Sequence, residues 1–246
     1  MDHKIIQAAD LIRNSKYTVA FTGAGISVES GIPPFRGEGG LWNEYDPIIL
    51  DLNYFTQKPE ESWPAIMRLF FDFFGAAKPN VAHLALAELE KHSILKSIIT
   101  QNIDNLHQEA GSETVFEFHG NTQQFICLDC GQLYQRKDLI LSPKVPYCLR
   151  PACNGLLKPD FIFFGEGIPS EAYEASIDAA NHADVMIVIG TTGEIMPASQ
   201  IPYLAKQNGS KIIEINIEES SFTNRITDVF LKGNATEMMG KLMLQF

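Results

Sequence analysis

The chain has 246 residues, of which 45% are hydrophobic and 20% are charged, a composition typical of a globular protein with a substantial core. Its formal net charge of −11 argues against direct binding to nucleic acid or to an anionic membrane surface. The segment Met1–Ala20 lacks a basic-then-apolar signal pattern, and no apolar run is long enough to span a bilayer. We therefore expect a cytoplasmic protein.

The stretch Tyr17–Gly40 carries the first functional signal. Tyr17–Phe21 is β-branched and aromatic, which predicts a buried strand, and it runs into the small-residue turn Thr22–Gly25. Two glycines between a strand and a helix start would present free backbone N–H groups to an anion, and the helix dipole would add to the attraction. This pattern indicates a diphosphate site, whereas the alternative interpretation is an ordinary turn.

The next segment, Gly31–Gly37, argues against a dehydrogenase-type unit, because its prolines and glycines are incompatible with a regular helix or strand. A long irregular loop that carries Phe35 and Arg36 beside a phosphate turn indicates a lid over a cofactor. The alternative is a solvent loop with Phe35 packed into the core.

Hydrophobic periodicity predicts an alternation of helices and strands along the rest of the chain. Helices are predicted over Lys4–Asn14, Pro59–Phe74, Val81–His92, Asn105–Ala110, Ser170–His182, Pro197–Gln207 and Thr236–Leu244. Further strands are predicted over Lys96–Gln101, Thr114–Phe118, Phe161–Phe164, Val185–Gly190, Lys211–Asn216 and Val229–Leu231. The pattern indicates an α/β fold with a mostly parallel sheet, helices on both faces, and an inserted metal module.

Polar residues follow two of these strands. Gln101–Asp104 ends one strand, where α/β sheets place binding groups, although Asn102 or Asp104 could instead cap the next helix. Of the six histidines, His119 alone stands at a strand end beside a glycine. An imidazole that titrates near neutrality suits a general base, so His119 is a catalytic candidate.

All four cysteines lie in the insert, as the pairs Cys127-x-x-Cys130 and Cys148-x4-Cys153, with seventeen residues between the pairs. Each pair is followed by a turn-permissive residue, and four thiolates in tetrahedral array select zinc. With no open ligand position, such a site would be structural. Disulfides or unrelated buried thiols are the alternatives.

At this point the chain resembles one family, the sirtuins, which are NAD-dependent protein-lysine deacylases with a Rossmann-like large domain and a smaller domain of zinc module and helices. The resemblance covers almost the entire chain. It is carried by the blocks Gly23–Ser27, Gly31–Pro33, Phe35–Gly37, Gln101–Asp104, His119-Gly120, the cysteine pairs, Phe164–Glu166, Gly190–Thr192 and Asn216.

The resemblance implies that NAD is consumed as a cosubstrate: the acyl-lysine oxygen attacks the nicotinamide ribose, and His119 is the base that activates a ribose hydroxyl. Asn102 would act with His119 as a catalytic residue and position the ribose. The implied NAD-contacting residues are Gly23, Ala24, Gly25, Ile26, Ser27, Ile32, Phe35, Arg36, Gln101, Asn102, Ile103, Asp104, Gly190, Thr191, Thr192, Asn216, Ile217 and Ala235. The implied peptide-contacting residues are Ile162, Phe164, Gly165, Glu166, Gly193 and Ile195. The implied zinc ligands are Cys127, Cys130, Cys148 and Cys153.

The resemblance also implies a domain division. Residues 1–35, 75–122 and 158–246 would form the large NAD-binding domain, 36–74 a cofactor-binding loop with a helical module, and 123–157 the zinc module. The expected partner is an acyl-lysine protein or peptide, without nucleic acid or membrane. The oligomeric state stays open, and a monomer is compatible with the sequence.

Three departures from the family pattern bear on the lid and on substrate choice. Pro34 replaces a polar residue, which removes one N–H of the lid loop. Gly193-Glu194 replaces an apolar pair, and Glu194 near the peptide strand indicates a preference for basic residues around the acyl-lysine. Where succinyl- and malonyl-removing members carry a Tyr and an Arg, this chain has Ile66 and Leu69, with Arg68 out of register. We therefore expect neutral acyl groups to be preferred.

Two alternatives remain at this stage. The same nicotinamide cleavage could serve mono-ADP-ribosyl transfer or plain NAD hydrolysis. The non-enzymatic alternative is a nucleotide-sensing scaffold that uses the zinc module as a partner surface.

Overall fold

The computed structural model describes residues 2–35, 39–72 and 76–246, and its nine strands form two sheets. The strands are β1 (Thr18–Thr22), β2 (Leu95–Thr100), β3 (Val115–Glu117), β4 (Gly120–Cys127), β5 (Leu133–Gln135), β6 (Leu157–Phe161), β7 (Val185–Ile189), β8 (Lys211–Asn216) and β9 (Val229–Lys232). The large sheet is parallel with the order β3-β2-β1-β7-β8-β9, and the small one is antiparallel with the order β5-β4-β6.

Helices cover both faces of the large sheet. The α-helices are α1 (Asp2–Asn14), α2 (Leu52–Gln57), α3 (Pro59–Ile66), α4 (Val81–Lys91), α5 (Leu106–Glu109), α6 (Ser170–His182), α7 (Gln200–Gln207) and α8 (Ala235–Met243). One apolar cluster joins α1, α4 and α8 to the sheet, and another joins α6 and α7 to the opposite face. Because both faces are covered, every residue of β1 and β7 is buried, which explains their continuous apolar sequences. The predicted Rossmann-like α/β fold is confirmed.

A third apolar cluster forms the core of the smaller part of the molecule. It brings α2, α3 and the small antiparallel sheet together around fully buried aromatic rings. Trp63 and Phe125 meet edge to face at 6.2 Å between ring centroids, and Phe70 lies 4.9 Å from Phe161. The aromatic helix predicted from the sequence therefore serves mainly as core, packed against the strands that surround the cysteines.

Three sequence-based predictions need correction. The helix predicted to run from Pro59 ends as an α-helix at Ile66 and continues as a π-helical segment, Met67–Asp72. The predicted Phe73 and Phe74 end lies outside the described residues. The segment Phe161–Phe164 is not a strand of the large sheet: β6 belongs to the antiparallel sheet, and Phe164 makes one isolated bridge to Asp51.

The third correction concerns the first turn, where the element after Gly23 is a seven-residue 3-10 helix, Ala24–Ser30, that ends at Gly31 with φ of 90°.

Within residues 2–35, 39–72 and 76–246, no helix has the length and apolar character needed to cross a membrane.

We expect Gly25→Ala to destabilise the fold. A Cβ at Gly25 would lie 2.6 Å from the Cα of Gly190, a backbone contact that cannot yield without shifting two turns. Overpacking of this kind lowers the free energy of unfolding by about 1–3 kcal/mol. In a chain of this size, that loss lowers the melting temperature by several degrees. Thermal unfolding followed by circular dichroism measures the effect.

The matched control is Gly240→Ala in α8, where an added Cβ would meet only a side-chain methyl of Val81 at 3.7 Å. Because alanine favours helix over glycine, this variant should melt at or above the wild-type temperature. A Gly25→Ala variant as stable as the control would contradict the packing argument.

Candidate active site

A cavity of about 930 Å³ opens at the carboxyl ends of the parallel strands, where β1 separates the two halves of the large sheet. The chain adds β2 and β3 on one side of β1, and then crosses to add β7, β8 and β9 on the other. Such a reversal leaves a crevice beyond the strand ends, which is where open α/β sheets bind their ligands.

Two glycine turns meet at the base of this cavity. Gly25 donates its N–H to the carbonyl of Gly190 at 2.8 Å, and Gly23 donates to Ile189 at 3.0 Å. A Cβ at Gly23 would lie 2.9 Å from the Gly190 carbonyl oxygen, so only glycine permits this approach. The expectation that both glycines offer free N–H groups to an anion is therefore wrong: these donors are used, and the glycines serve close packing of the two turns.

His119 lies on the cavity wall, between β3 and β4. Its Nδ1 is 3.0 Å from the carbonyl oxygen of Gln101, and because a carbonyl only accepts, Nδ1 carries the proton. Nε2 is then a free acceptor. Burial lowers the pKa of His119, and the bond to Gln101 partly offsets that shift. The side chain is accordingly a neutral imidazole near pH 7 with one basic nitrogen, which is the state that a general base requires.

A buried chain of hydrogen bonds lies behind Asn102. Ser27 donates to Oδ2 of Asp104 at 2.7 Å and accepts from Nδ2 of Asn102 at 3.1 Å. His83 accepts the Asn80 N–H at Nδ1, so its Nε2 donates to Ser27 at 3.4 Å. Every member has a defined role as donor or acceptor, and the chain fixes the Asn102 amide.

Asp104 has the capping role, which is one of the two roles that the sequence left open. Its Oδ1 accepts the backbone N–H of Leu106 at 3.0 Å, which caps the short helix α5, while Oδ2 accepts from Ser27. The side chain is buried, and burial raises the pKa of its carboxyl group despite these donors.

A second histidine, His107 of α5, is connected to Asn102 by another series of hydrogen bonds. Its Nε2 lies 2.9 Å from the hydroxyl of Thr22, which donates to Thr100, and Thr100 in turn accepts the backbone N–H of Asn102 at 3.1 Å. The rings of His83 and His107 meet edge to face at 4.9 Å. Burial lowers the pKa of His83 to about 4 and that of His107 well below its ordinary value, so both rings are neutral at pH 7.

The far end of the cavity is held by residues of β7, β8 and α8. Asn216 donates to the carbonyl of Thr191 at 2.9 Å, and Gln101 donates to the Thr191 hydroxyl at 3.2 Å. The first turn of α8 faces the cavity, and Glu29 accepts the N–H of Thr236 there at 3.0 Å. Glu29 thus neutralises part of the helix dipole beside the cavity.

The opposite wall is formed by the segment that follows β6. Ile162 donates its N–H to the carbonyl of His119 at 2.8 Å, and Phe164 is paired with both Leu50 and Leu52 through main-chain bonds. In the part of the chain that the structure describes, no hydrogen bond is made by the Ile162 carbonyl. Ile195 lines the same cavity as this segment.

Most of the site residues suggested by the sequence line this one cavity. The lining members are Gly23, Ala24, Gly25, Phe35, Gln101, Asn102, Ile103, His119, Ile162, Phe164, Gly165, Glu166, Gly190, Thr191, Thr192, Ile195, Asn216, Ile217 and Ala235. Buried residues outside the lining are Ile26, Ser27, Ile32, Asp104 and Gly193. Arg36 lies outside the described residues. Ile66 and Leu69 are buried in the aromatic core rather than on the cavity wall.

The sequence analysis missed several lining residues. Trp42 and Leu50 come from the module between Gly39 and Asp72, and Trp42 packs 5.5 Å from the Phe35 ring. Val28, Glu29, Glu218 and Glu219 also line the cavity. Glu218 and Glu219 follow the end of β8, and that position could have indicated them. Val28 and Glu29 could have been indicated only by the glycine motif that precedes them, and Trp42 and Leu50 have no such signal.

The four cysteines converge on a separate centre. Their Sγ atoms all lie within 4.8 Å of one another, with Cys127 to Cys153 at 3.6 Å and Cys130 to Cys148 at 3.8 Å. A tetrahedron with zinc–sulfur bonds of about 2.3 Å has sulfur–sulfur edges of about 3.8 Å. The residues therefore fit a structural zinc ion. No disulfide joins them, which removes that alternative.

Comparison with known proteins agrees with this geometry. A family model described as the Sir2 family matches residues 23–197. The chain belongs to the Sir2 family. A relative from Thermococcus sibiricus named NAD-dependent protein deacylase is 43% identical over 248 residues, which cover 98% of this chain and 96% of the relative.

Solved structures of the family extend the agreement to the fold. A Sir2 structure with a p53 peptide and NAD+ is 37% identical, with a TM-score of 0.87 over 96% of this chain and 95% of that one. Sir2Tm bound to a propionylated peptide is 35% identical, with a TM-score of 0.88 over 98% of each chain. The expected class, an NAD-dependent protein deacylase, is confirmed for this Sir2 protein.

The neutral histidine pair predicts a loss of stability in acid. His83 has a lower pKa folded than unfolded, so the unfolded state binds more protons between about pH 6.5 and about pH 4. The contribution of His83 to the free energy of unfolding is fully present above that window. It is lost as the pH decreases through the window, by up to about 3 kcal/mol. Urea unfolding at several pH values should give a shallower decline for His83→Gln than for the wild type.

His92→Gln is the matched control, because His92 is an exposed histidine at the other end of the same helix. Its stability should follow the wild-type pH dependence. Equal slopes for His83→Gln and the wild type would show that the buried ring is not kept neutral by the fold.

Proposed function

We propose that this Sir2 protein removes neutral acyl groups from lysine side chains of proteins and yields nicotinamide, 2′-O-acyl-ADP-ribose and the free lysine. The single observation that carries the proposal is the state and position of His119. It is a neutral imidazole with a free Nε2, held at the point where the dinucleotide crevice meets the cleft beside Ile162. Two ligands brought to these two places would meet at this nitrogen.

NAD would supply the ADP-ribosyl group that accepts the acyl group, with nicotinamide as the leaving group. The dinucleotide would lie along the crevice from Ala24 and Asn102 to Asn216 and Ala235, and the residues there fit it: glycine turns keep side chains out, and polar groups stand at the strand ends. Asp104 and the main chain of Ile103 would hold the carboxamide of the nicotinamide ring.

The protein's own part in the reaction is positioning and proton transfer. Asn102 is fixed by Ser27 and would orient the ribose, and His119 would take a proton from a ribose hydroxyl at Nε2. The Ile162 carbonyl, which is free of other partners among the described residues, would accept the N–H of the acyl-lysine. Phe35 and Trp42 would exclude water from the reacting atoms.

The test is incubation of the protein with NAD and an acetyl-lysine peptide, with nicotinamide and peptide mass as readouts. His119→Ala should lower the turnover rate about 10²–10⁴-fold and leave NAD binding unchanged, since only the proton acceptor is removed. His182→Ala, an exposed histidine at the end of α6, is the control and should keep wild-type turnover.

Near-normal deacylation by His119→Ala would remove that residue from the mechanism. Nicotinamide release without any change in peptide mass would point instead to ADP-ribosyl transfer or NAD hydrolysis at the same site, and radiolabelled ADP-ribose on protein would separate the two. NAD binding without turnover by the wild type would favour a sensing scaffold.

The cavity wall bears on the choice of acyl group. Among the described residues, its lining contains no lysine or arginine, and its acyl side is built from Phe35, Trp42, Leu50, Phe161 and Phe163. A carboxylate buried against such a wall loses its hydration and gains no partner.

We therefore expect acetyl, propionyl and longer neutral acyl peptides to exceed a succinyl peptide in kcat/KM by at least tenfold. A panel of acyl variants of one peptide, read by mass spectrometry, measures this. A succinyl peptide that equals the acetyl peptide would show that a cation reaches the pocket in the complex.

A further inference from the structure

Lys158 on β6 is an unusual residue for its place, because the side chain of this charged residue is only 3% exposed. Its Nζ lies 2.8 Å from the carbonyl oxygen of Pro159, 2.7 Å from that of Phe161, and 3.0 Å from Oε2 of Glu166. A lysine ammonium has three N–H donors, so each one has an oxygen partner.

Burying an ammonium group costs several kcal/mol, and three acceptors offset that cost only if they are held in place. The aromatic rings around the ammonium contribute as well, since Nζ lies 4.5 Å from the centroid of the Phe163 ring. Desolvation lowers the pKa of Lys158, and Glu166 opposes the shift. Asp160 is the other carboxylate near this pair, and burial raises its pKa.

The partners of Lys158 lie on both sides of the segment 161–166. Phe161 ends β6, and Glu166 follows the turn at Gly165, whose φ is 93°. Glu166 also accepts the N–H of Phe163 at 2.6 Å, so one carboxylate oxygen joins the ammonium to the main chain of the segment. The ammonium therefore ties the start of the segment, at the Phe161 carbonyl, to its end at the Glu166 carboxylate.

This loop carries the groups that face the cavity beside His119. The N–H of Ile162 is donated to the His119 carbonyl, and Gly120 approaches the Asp160 carbonyl so closely that a Cβ there would lie 2.2 Å from the oxygen. A shift in the loop would therefore move the Ile162 carbonyl relative to the general base.

We propose that Lys158 is a positioning residue for the acyl-lysine peptide: its ammonium, bound to two main-chain carbonyls and to Glu166, fixes the segment 161–166 so that the Ile162 carbonyl stands beside His119. The inference rests on the proposed function, since it assigns the peptide to this segment. Lys158 touches neither the dinucleotide crevice nor the cavity surface.

The test compares the KM for an acetyl-lysine peptide with the affinity for NAD in Lys158→Met. We expect the peptide KM to rise at least tenfold while the dissociation constant of NAD, measured by calorimetry, stays within twofold of the wild type. Loss of a purely structural residue would change the peptide KM and the NAD dissociation constant together. Lys206→Met is the matched control: it breaks the ion pair with Asp228 away from the cavity and should leave the peptide KM unchanged.

Loss of the ammonium leaves Glu166 partly buried without its cation, so Lys158→Met is expected to lower the melting temperature too. The double variant Lys158→Met/Glu166→Leu removes both charges and should recover stability but keep the raised peptide KM. A double variant with wild-type peptide KM would overturn the inference.

Failure of the inference and failure of the proposed function give different results. A wild-type protein that deacylates the peptide, with either Lys158 variant at wild-type KM, rejects the positioning role alone. A wild-type protein that deacylates no peptide rejects the proposed function, and the role of Lys158 falls with it.

Discussion

The site depends on the contact between two glycine turns, one after β1 and one after β7. Gly25 and Gly190 meet backbone to backbone, without side chains between them, and their hydrogen bond holds the two central strands together at their carboxyl ends. Because the topology reverses at β1, this contact closes the base of the crevice and leaves its mouth open. Everything that a dinucleotide would touch is arranged around that point.

Much of this arrangement follows from local sequence. Buried parallel strands are read from continuous apolar runs, and α/β sheets place binding groups at the carboxyl ends of such strands. Gln101 and Asn102 were therefore expected at a binding site, and both line the cavity. The cysteine spacing indicated one cluster of four, which the sulfur positions confirm. The place of His119 at a strand end beside Gly120 likewise identified the basic nitrogen on the cavity wall.

What the sequence could not predict depends on contacts between distant segments. Trp42 and Leu50 reach the cavity only because the aromatic core folds their module against β6. The expected free N–H groups of Gly23 and Gly25 were wrong because the pattern does not say which strand will supply an acceptor. The burial of Lys158 has no signal in the sequence, since its partners are two main-chain carbonyls and a carboxylate that the fold brings to it.

The strand β4 has a consequence for the enzyme as a whole. It begins at Gly120, directly after His119, and ends at Cys127, one of the four clustered cysteines, so a single stretch of eight residues connects the two centres. It is also clamped along its length by β5 and β6. The positions of the cysteine sulfur atoms and of the His119 ring therefore depend on the same strand, although the two lie at separate centres of the molecule.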